Sequence, residues 1–291
     1  MRLVNDARLP EPIIRALEAD DYDSGDSDIT VTQLINPPLI RQLRKKHEAE
    51  IEEKASSRMF SLMGKMIHKI LETAGSNAEG LNHLLFEKRL FIERDGWKIS
   101  GQIDVIDTEA KTITDYKVCS FWTSILGAKD EWTSQLNLYR LLAKENGYQI
   151  DRLEIAALFR DWSAEKIGTK RDYPEAPMQI IDIPVWSIDS VERYLNGRIR
   201  AHKSSKPSIC TPDERWERGD KYAVKKEGRA TAIRVLDSHQ EAVSWIALNA
   251  RPEEIGKMSI EHRRGEPKRC LRYCSVAPFC DFGKKLLRKE K

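Results

Sequence analysis

Asp104, Asp115 and Lys117 are the residues of this 291-residue chain whose types and spacing could do chemistry together. On a β-strand Asp115 and Lys117, two apart, project from one face, while Tyr116 points the other way and offers its main-chain carbonyl. Two carboxylates and an amine set amid Ile, Val and Tyr cost desolvation unless the charges have partners, and a divalent cation is one such partner. Carboxylate oxygens suit Mg²⁺ or Mn²⁺. The plain alternative is an exposed hairpin carrying a surface Asp/Lys pair.

The elements that must position these residues follow from the flanking pattern. Two β-rich runs, 97–106 and 112–118, flank the polar turn 107–111 and predict an antiparallel hairpin with Asp104 near the end of its first strand. Residues 84–93 read as a further strand joined to it through the Asp95-Gly96 turn. Glu87 lies on that strand, within reach of the site, although an exposed strand glutamate is the commoner case. Upstream, Met59, Leu62, Met63, Met66, Ile67, Ile70 and Leu71 have helical spacing, which puts His68 at the border of an apolar face. Downstream, a helix over 131–145 sets Gln135 and Tyr139 on one face. Residues 153–160 have the apolar character of a central strand, 178–185 read as an edge strand with Pro184 near its end, and Ser187 caps a helix to Lys203. Before the site, the pattern predicts a short helix over 12–18, a polar acidic loop over 20–28, a helix over 33–35 capped by Thr32, and a charged helix over 39–53. After Lys206, Pro and Gly break the chain into short pieces, with one helix over 237–249 capped by Asp237 or Ser238.

Taken in order, Gly64-x3-His68, Gly101-x2-Asp104, Asp115-x-Lys117 and Gln135-x3-Tyr139 resemble the RecB-like branch of the PD-(D/E)XK nuclease superfamily. The resemblance implies an α/β (α+β) fold with a restriction-endonuclease-like core, a central mixed sheet flanked by helices. That core is expected over 59–204, between an N-terminal helical and acidic segment (1–58) and a basic, cysteine-bearing segment (205–291) packed on it. It also implies that His68 adds an imidazole ligand beside Asp104 and Asp115, and that the Tyr116 carbonyl completes the protein's share of a Mg²⁺ or Mn²⁺ site. Lys117 is then placed to orient or deprotonate the attacking water or to stabilise charge on the phosphate, while Gln135 and Tyr139 position these groups. The implied activity is a metal-dependent DNA exonuclease acting on DNA with a free end, with phage recombination or prophage nucleases as the nearest kind. A non-catalytic nucleic-acid-binding protein on the same fold is the competing reading; the pairing of both carboxylates with Lys117 favours the enzyme.

Charge and cysteines add a second theme. The net charge of +3 hides an asymmetry: residues 201–291 hold 21 Lys+Arg against 13 Asp+Glu, whereas residues 1–30 hold three basic and eight acidic residues. The basic end fits a polyanion, with Lys221, Lys225, Lys226 and Arg229 as candidate DNA contacts. Trp122 and Trp132 are candidates to stack on bases, although core packing is the commoner role of a tryptophan. Of five cysteines, Cys119 stands apart, and Cys210, Cys270, Cys274 and Cys280 are grouped, which in a reduced compartment argues for metal or cluster ligation. These four resemble the iron–sulfur nuclease branch, including CRISPR-adaptation and AddB-type nucleases, and so imply a structural [4Fe–4S] cluster. The usual Cys-x2-Cys is here Cys-x3-Cys, Asn36-Pro37-Pro38 stands where such relatives often place their first cysteine, and four thiolates also suit Zn²⁺. No apolar run nears the roughly 18 residues of a membrane span and no secretory pattern opens the chain, so a cytoplasmic protein without a membrane partner is expected, in a host cytoplasm if phage-encoded.

Overall fold

A computed structural model describes residues 2–19, 24–169, 172–217 and 219–289, which form two compact units, 1–41 with 48–207 and 42–47 with 208–291. Asp20 to Asp23 of the predicted acidic loop, with Lys170, Arg171, Glu290 and Lys291, lie outside the described residues.

The first unit begins with β1 (Arg2–Val4), α1 (Glu11–Glu18), β2 (Ile29–Thr30), α2 (Val31–Ile35), the start of α3 (Pro38–Lys46) and β3 (Glu52–Lys54). It continues through α4 (Ala55–Ser76), β4 (Leu84–Arg94), β5 (Trp97–Asp107), β6 (Thr112–Cys119), α5 (Trp122–Leu126) and α6 (Asp130–Glu145) to β7 (Arg152–Phe159), β8 (Met178–Asp182) and α7 (Ile188–Lys203). Six strands form one mixed sheet in the order β2-β5-β6-β7-β8, with β4 on the other edge of β5. The central mixed sheet flanked by helices is the predicted core.

Two local predictions need correction. The cap of α2 is Thr30: its Oγ1 accepts from Gln33 N at 3.2 Å and the Gln33 side chain reaches back to Thr30 N, a reciprocal arrangement open only to a residue three before Gln33. The charged helix ends at Lys46, well short of residue 53, because Glu52–Lys54 pair in parallel with β1.

β7 lies inside the sheet, parallel to β6 and antiparallel to β8, which explains its apolar run of Leu153, Ile155, Ala156, Ala157 and Phe159. α6 buries Leu136, Leu138, Leu141 and Leu142 in the same core. Its fully buried Asn137 is tolerated because every polar group of the side chain is used: Nδ2 donates to Thr133 and Pro184 carbonyls, and Oδ1 accepts from Trp186 N at 2.8 Å.

The decisive feature is how β5 is shared. β4 pairs with it from Leu84 opposite Asp107 to Arg94 opposite Trp97, with a break at Glu87 and Asp104. On the other edge β2 holds only Ile99 and Ser100, and β6 holds only Val105, Ile106 and Asp107. Between them β5 leaves its neighbours, and that gap contains Gly101 and Asp104. A Cβ at Gly101 would stand 2.7 Å from Tyr139 Cε1, so the glycine is required for α6 to seat its tyrosine against the strand.

The second unit carries β9 (Lys221–Lys226), β10 (Arg234–Leu236), α8 (His239–Asn249), α9 (Pro252–Ile255), β11 (Met258–Arg263), α10 (Lys268–Arg272) and α11 (Asp281–Lys289). Its antiparallel sheet, β10-β9-β11, went unread in the sequence because only Ala223 and Val224 of β9 are buried, too few to show a period-2 pattern. Ser238 caps α8 in a capping box with Glu241. His47, at the end of the α3 segment of this unit, stacks on Phe279 with ring centroids 4.3 Å apart.

Candidate active site

The gap in β5 opens onto a cavity of about 940 Å³ to which five elements bring polar side chains. α4 contributes His68, β4 contributes Glu87, β5 contributes Gln102 and Asp104, β6 contributes Asp115, Tyr116 and Lys117, and α6 contributes Gln135 and Tyr139. All six residues expected to be catalytic are thus brought together.

Where β6 leaves β5, the Asp104 side chain replaces the ladder: its Oδ2 accepts from Tyr116 N at 2.7 Å. A strand residue sends its C=O to the same edge as its N–H, so the Tyr116 carbonyl faces the gap as well. Asp104 Oδ1 lies 3.5 Å from His68 Nδ1, and Glu87 Oε1 lies 3.1 Å from the same nitrogen. Among the described residues, His68, Glu87 and Asp104 are the group whose donor atoms all lie within 4.8 Å of one another. Asp115 is almost fully buried and is engaged by Lys117, whose Nζ sits 2.6 Å from its Oδ2. Gln135 Nε2 donates to the Tyr139 hydroxyl at 2.9 Å, making one buried unit of the two.

Glu87 is the member that sequence reasoning undervalued. It lies at the break in the β4–β5 ladder, between the Phe86–Val105 and Lys88–Ile103 pairs, adopts φ +46°, and is held by Gln102, whose Nε2 donates to Oε2 at 2.8 Å. A non-glycine residue in the left-handed region inside a strand is strained by about 1–2 kcal/mol and persists only where its surroundings impose it. Here the strained backbone accompanies a carboxylate turned onto His68.

The electrostatics of the cluster call for a cation. Burial first, and the neighbouring Asp115 charge second, push the Asp104 carboxyl from the ordinary 3.8 up to about 8. Burial pulls His68 down, but the Glu87 hydrogen bond and the charges of Asp104, Glu87 and Asp115 together raise it. Lys117 is likewise raised: burial works against the ammonium, and Asp115 and Asp104 outweigh it. Burial raises Tyr139 so strongly that it is a neutral phenol at all physiological pH. An oxygen-rich donor set with one imidazole, in which two buried carboxylates repel each other, fits Mg²⁺ or Mn²⁺.

The pH dependence follows. Asp104 keeps its proton to about pH 8 when folded but releases it near 3.8 when unfolded, so the folded state binds more protons in that interval. Its contribution to stability is complete below the lower value and is lost as pH rises towards the upper one. A divalent ion bound through Asp104 would have to displace that proton. Calorimetric titration with Mg²⁺ is therefore expected to show apparent affinity rising by up to about tenfold per pH unit between about pH 6 and 8. Affinity that is flat across this range contradicts the assignment of Asp104 as a ligand.

Residues 31–281 match the family model of the PD-(D/E)XK nuclease superfamily. The chain belongs to that superfamily. Among curated protein sequences, none matches it. Its backbone is similar to the solved structure of SSO0001, at 15% identity and a TM-score of 0.44, over 70% of this chain and 88% of that one. It is also similar to a phage-related exonuclease from Haemophilus somnus 129PT, at 14% identity and 0.37, over 60% and 91%. A third likeness is to the alkaline exonuclease LHK-Exo from Laribacter hongkongensis, at 10% identity and 0.37, over 59% and 85%.

The remaining candidates lie outside this cavity. Trp122 is 47% exposed and stacks on Phe121, whereas Trp132 is buried in the core. In the second unit Lys221, Lys225 and Lys226 are ion-paired with Asp237, Glu261 and Glu254 respectively, and Arg229 N donates to the Lys226 carbonyl in the turn after β9. Cys119 is buried in the first unit, and the other four cysteines, all in the second unit, are partly buried free thiols. No helix among the described residues is long and apolar enough to cross a membrane.

Proposed function

We propose that this protein is a Mg²⁺- or Mn²⁺-dependent DNA exonuclease whose site is the gap between β5 and β6. The observation that carries this reading is the convergence of His68, Glu87 and Asp104 donor atoms within 4.8 Å, beside the Asp115–Lys117 pair, in an open cavity. His68, Asp104, Asp115, Glu87 and the Tyr116 carbonyl are the groups that would hold the ion. When bound, a divalent ion supplies Lewis acidity towards the phosphate and a more acidic water.

The chain's own groups do the rest. Lys117, held as an ammonium by Asp115 and Asp104, donates to the phosphate and offsets charge that grows in the transition state. Tyr116 N fixes one oxygen of Asp104, which leaves the other turned towards His68. Gln102 fixes Glu87 in the same way. The Gln135–Tyr139 pair, packed on Gly101, anchors the β5 backbone that carries Asp104. End-labelled linear DNA and covalently closed circular DNA, incubated side by side with Mg²⁺, test the reading: the linear form is expected to be degraded and the circle to survive. Linearised or nicked circles would make the enzyme an endonuclease.

The second unit is proposed to hold a structural [4Fe–4S] cluster on Cys210, Cys270, Cys274 and Cys280. What supports it is that these thiols sense one another. Burial pushes Cys210 up to about 11, with Glu214, Cys274 and Cys270 adding to the shift, and Cys270 and Cys274 are each raised by burial and by neighbouring cysteines. Four thiolates also suit Zn²⁺, and metal analysis separates the two.

A further inference from the structure

We propose that Phe60, on the active-site face of α4, is a platform on which a base of the substrate strand stacks a few nucleotides from the scissile phosphate. The inference rests on the nuclease reading and adds a positioning residue to it. Phe60, Gly64 and His68 are spaced i, i+4, i+8, so they form one stripe along α4, and all three line the catalytic cavity. At 1.5 Å per residue, Phe60 stands about 12 Å along the helix from His68. That distance spans about four stacked nucleotides at about 3.4 Å each, and fewer of an extended strand.

Each residue of the stripe has a property suited to a strand lying along it. His68 belongs to the group that would hold the ion. Among the described residues, no heavy atom lies within 4 Å of where a Gly64 Cβ would stand, so their packing does not require a glycine there, and a glycine inside a helix weakens it. Its use is to let a sugar–phosphate backbone pass close to the helix. Phe60 is 58% exposed, although it is a large apolar ring lining a cavity, and the Arg160 guanidinium lies 4.6 Å from its ring centroid. A ring backed by a cation offers a nucleobase a stacking surface that accepts any base, with a positive charge nearby for the phosphates.

The test is steady-state cleavage of an end-labelled oligonucleotide with Mg²⁺. Phe60→Ala is expected to raise KM about tenfold with kcat changed less than about twofold, and Phe60→Tyr to restore KM. A scan of single abasic nucleotides is expected to find one position, one to four nucleotides from the cleaved bond, at which loss of the base raises KM for the wild type but not for Phe60→Ala. Gly64→Ala is expected to raise the melting temperature while raising KM. Unchanged KM in Phe60→Ala, or an abasic scan identical in wild type and variant, overturns the platform while leaving the nuclease reading intact. A wild-type protein that cleaves no DNA overturns both.

Discussion

Alanine at Asp104, Asp115 or Lys117 is expected to lower the rate of DNA cleavage by at least about 10²–10³-fold, with the variants still folded and still binding DNA. The size of the effect comes from the geometry. Asp104 is the one carboxylate tied both to the β6 backbone, through Tyr116 N, and to His68, so its loss removes a donor and the clamp that sets the gap. Asp115 and Lys117 form a single ion pair: removing Lys117 leaves the buried Asp115 carboxylate without its partner, and removing Asp115 frees the partly buried Lys117 ammonium from the group that orients it. Stability separates loss of chemistry from loss of fold. Asp104→Asn keeps an acceptor for Tyr116 N and removes a charge that burial and Asp115 oppose, so the metal-free variant is expected to melt no lower than the wild type above about pH 8. A variant that is inactive and also melts far lower would assign Asp104 a structural role.

Protein prepared anaerobically is expected to be brown and to contain about four iron and four sulfide per chain. Alanine at Cys210, Cys270, Cys274 or Cys280 should remove the iron, whereas alanine at Cys119 should not, since Cys119 lies in the other unit. Ligation across the interval from Cys210 to Cys270 closes a loop of about 60 residues. On the loop-closure estimate for disulfides that restriction is worth about 4 kcal/mol, so loss of a ligand should lower stability together with colour. Such a staple would offset the small core of the second unit. Among its described residues only Ala223, Val224, Ala242, Val276 and Ala277 are buried hydrophobic residues, far fewer than in the first unit. One zinc and no sulfide in an anaerobic preparation would contradict the cluster.

Much of the site was legible because its carriers are local. The Asp115-x-Lys117 spacing, the hairpin turn and the helical faces of His68 and of Gln135 with Tyr139 are set within a few residues of chain, and periodicity reports them directly. Glu87 was legible in principle. Counting back from the Asp95-Gly96 turn, with Arg94 facing Trp97, brings Glu87 level with Asp104, between the Phe86–Val105 and Lys88–Ile103 pairs, so the count alone brings the two carboxylates together. What the sequence could not carry is the left-handed backbone at Glu87, a tertiary demand with no local signal. The same limit hid the pairing of β3 with β1, 50 residues apart, where three charged or polar residues gave no strand pattern. The positive charge of the C-terminal region was counted correctly, but counting does not show that Lys221, Lys225 and Lys226 each have a carboxylate partner. A paired lysine must give up its partner to neutralise a phosphate, so any part these three take in phosphate binding is expected to be smaller than net charge implies.

The most direct test of the central claim is the release of label from end-labelled linear DNA by the wild type and by Lys117→Ala, each with Mg²⁺, with Mn²⁺ and with EDTA. Release by the wild type with either metal, none with EDTA, and none by Lys117→Ala under any condition is the predicted result. Release by Lys117→Ala at near wild-type rate under saturating Mg²⁺, or metal-independent release by the wild type, would contradict it.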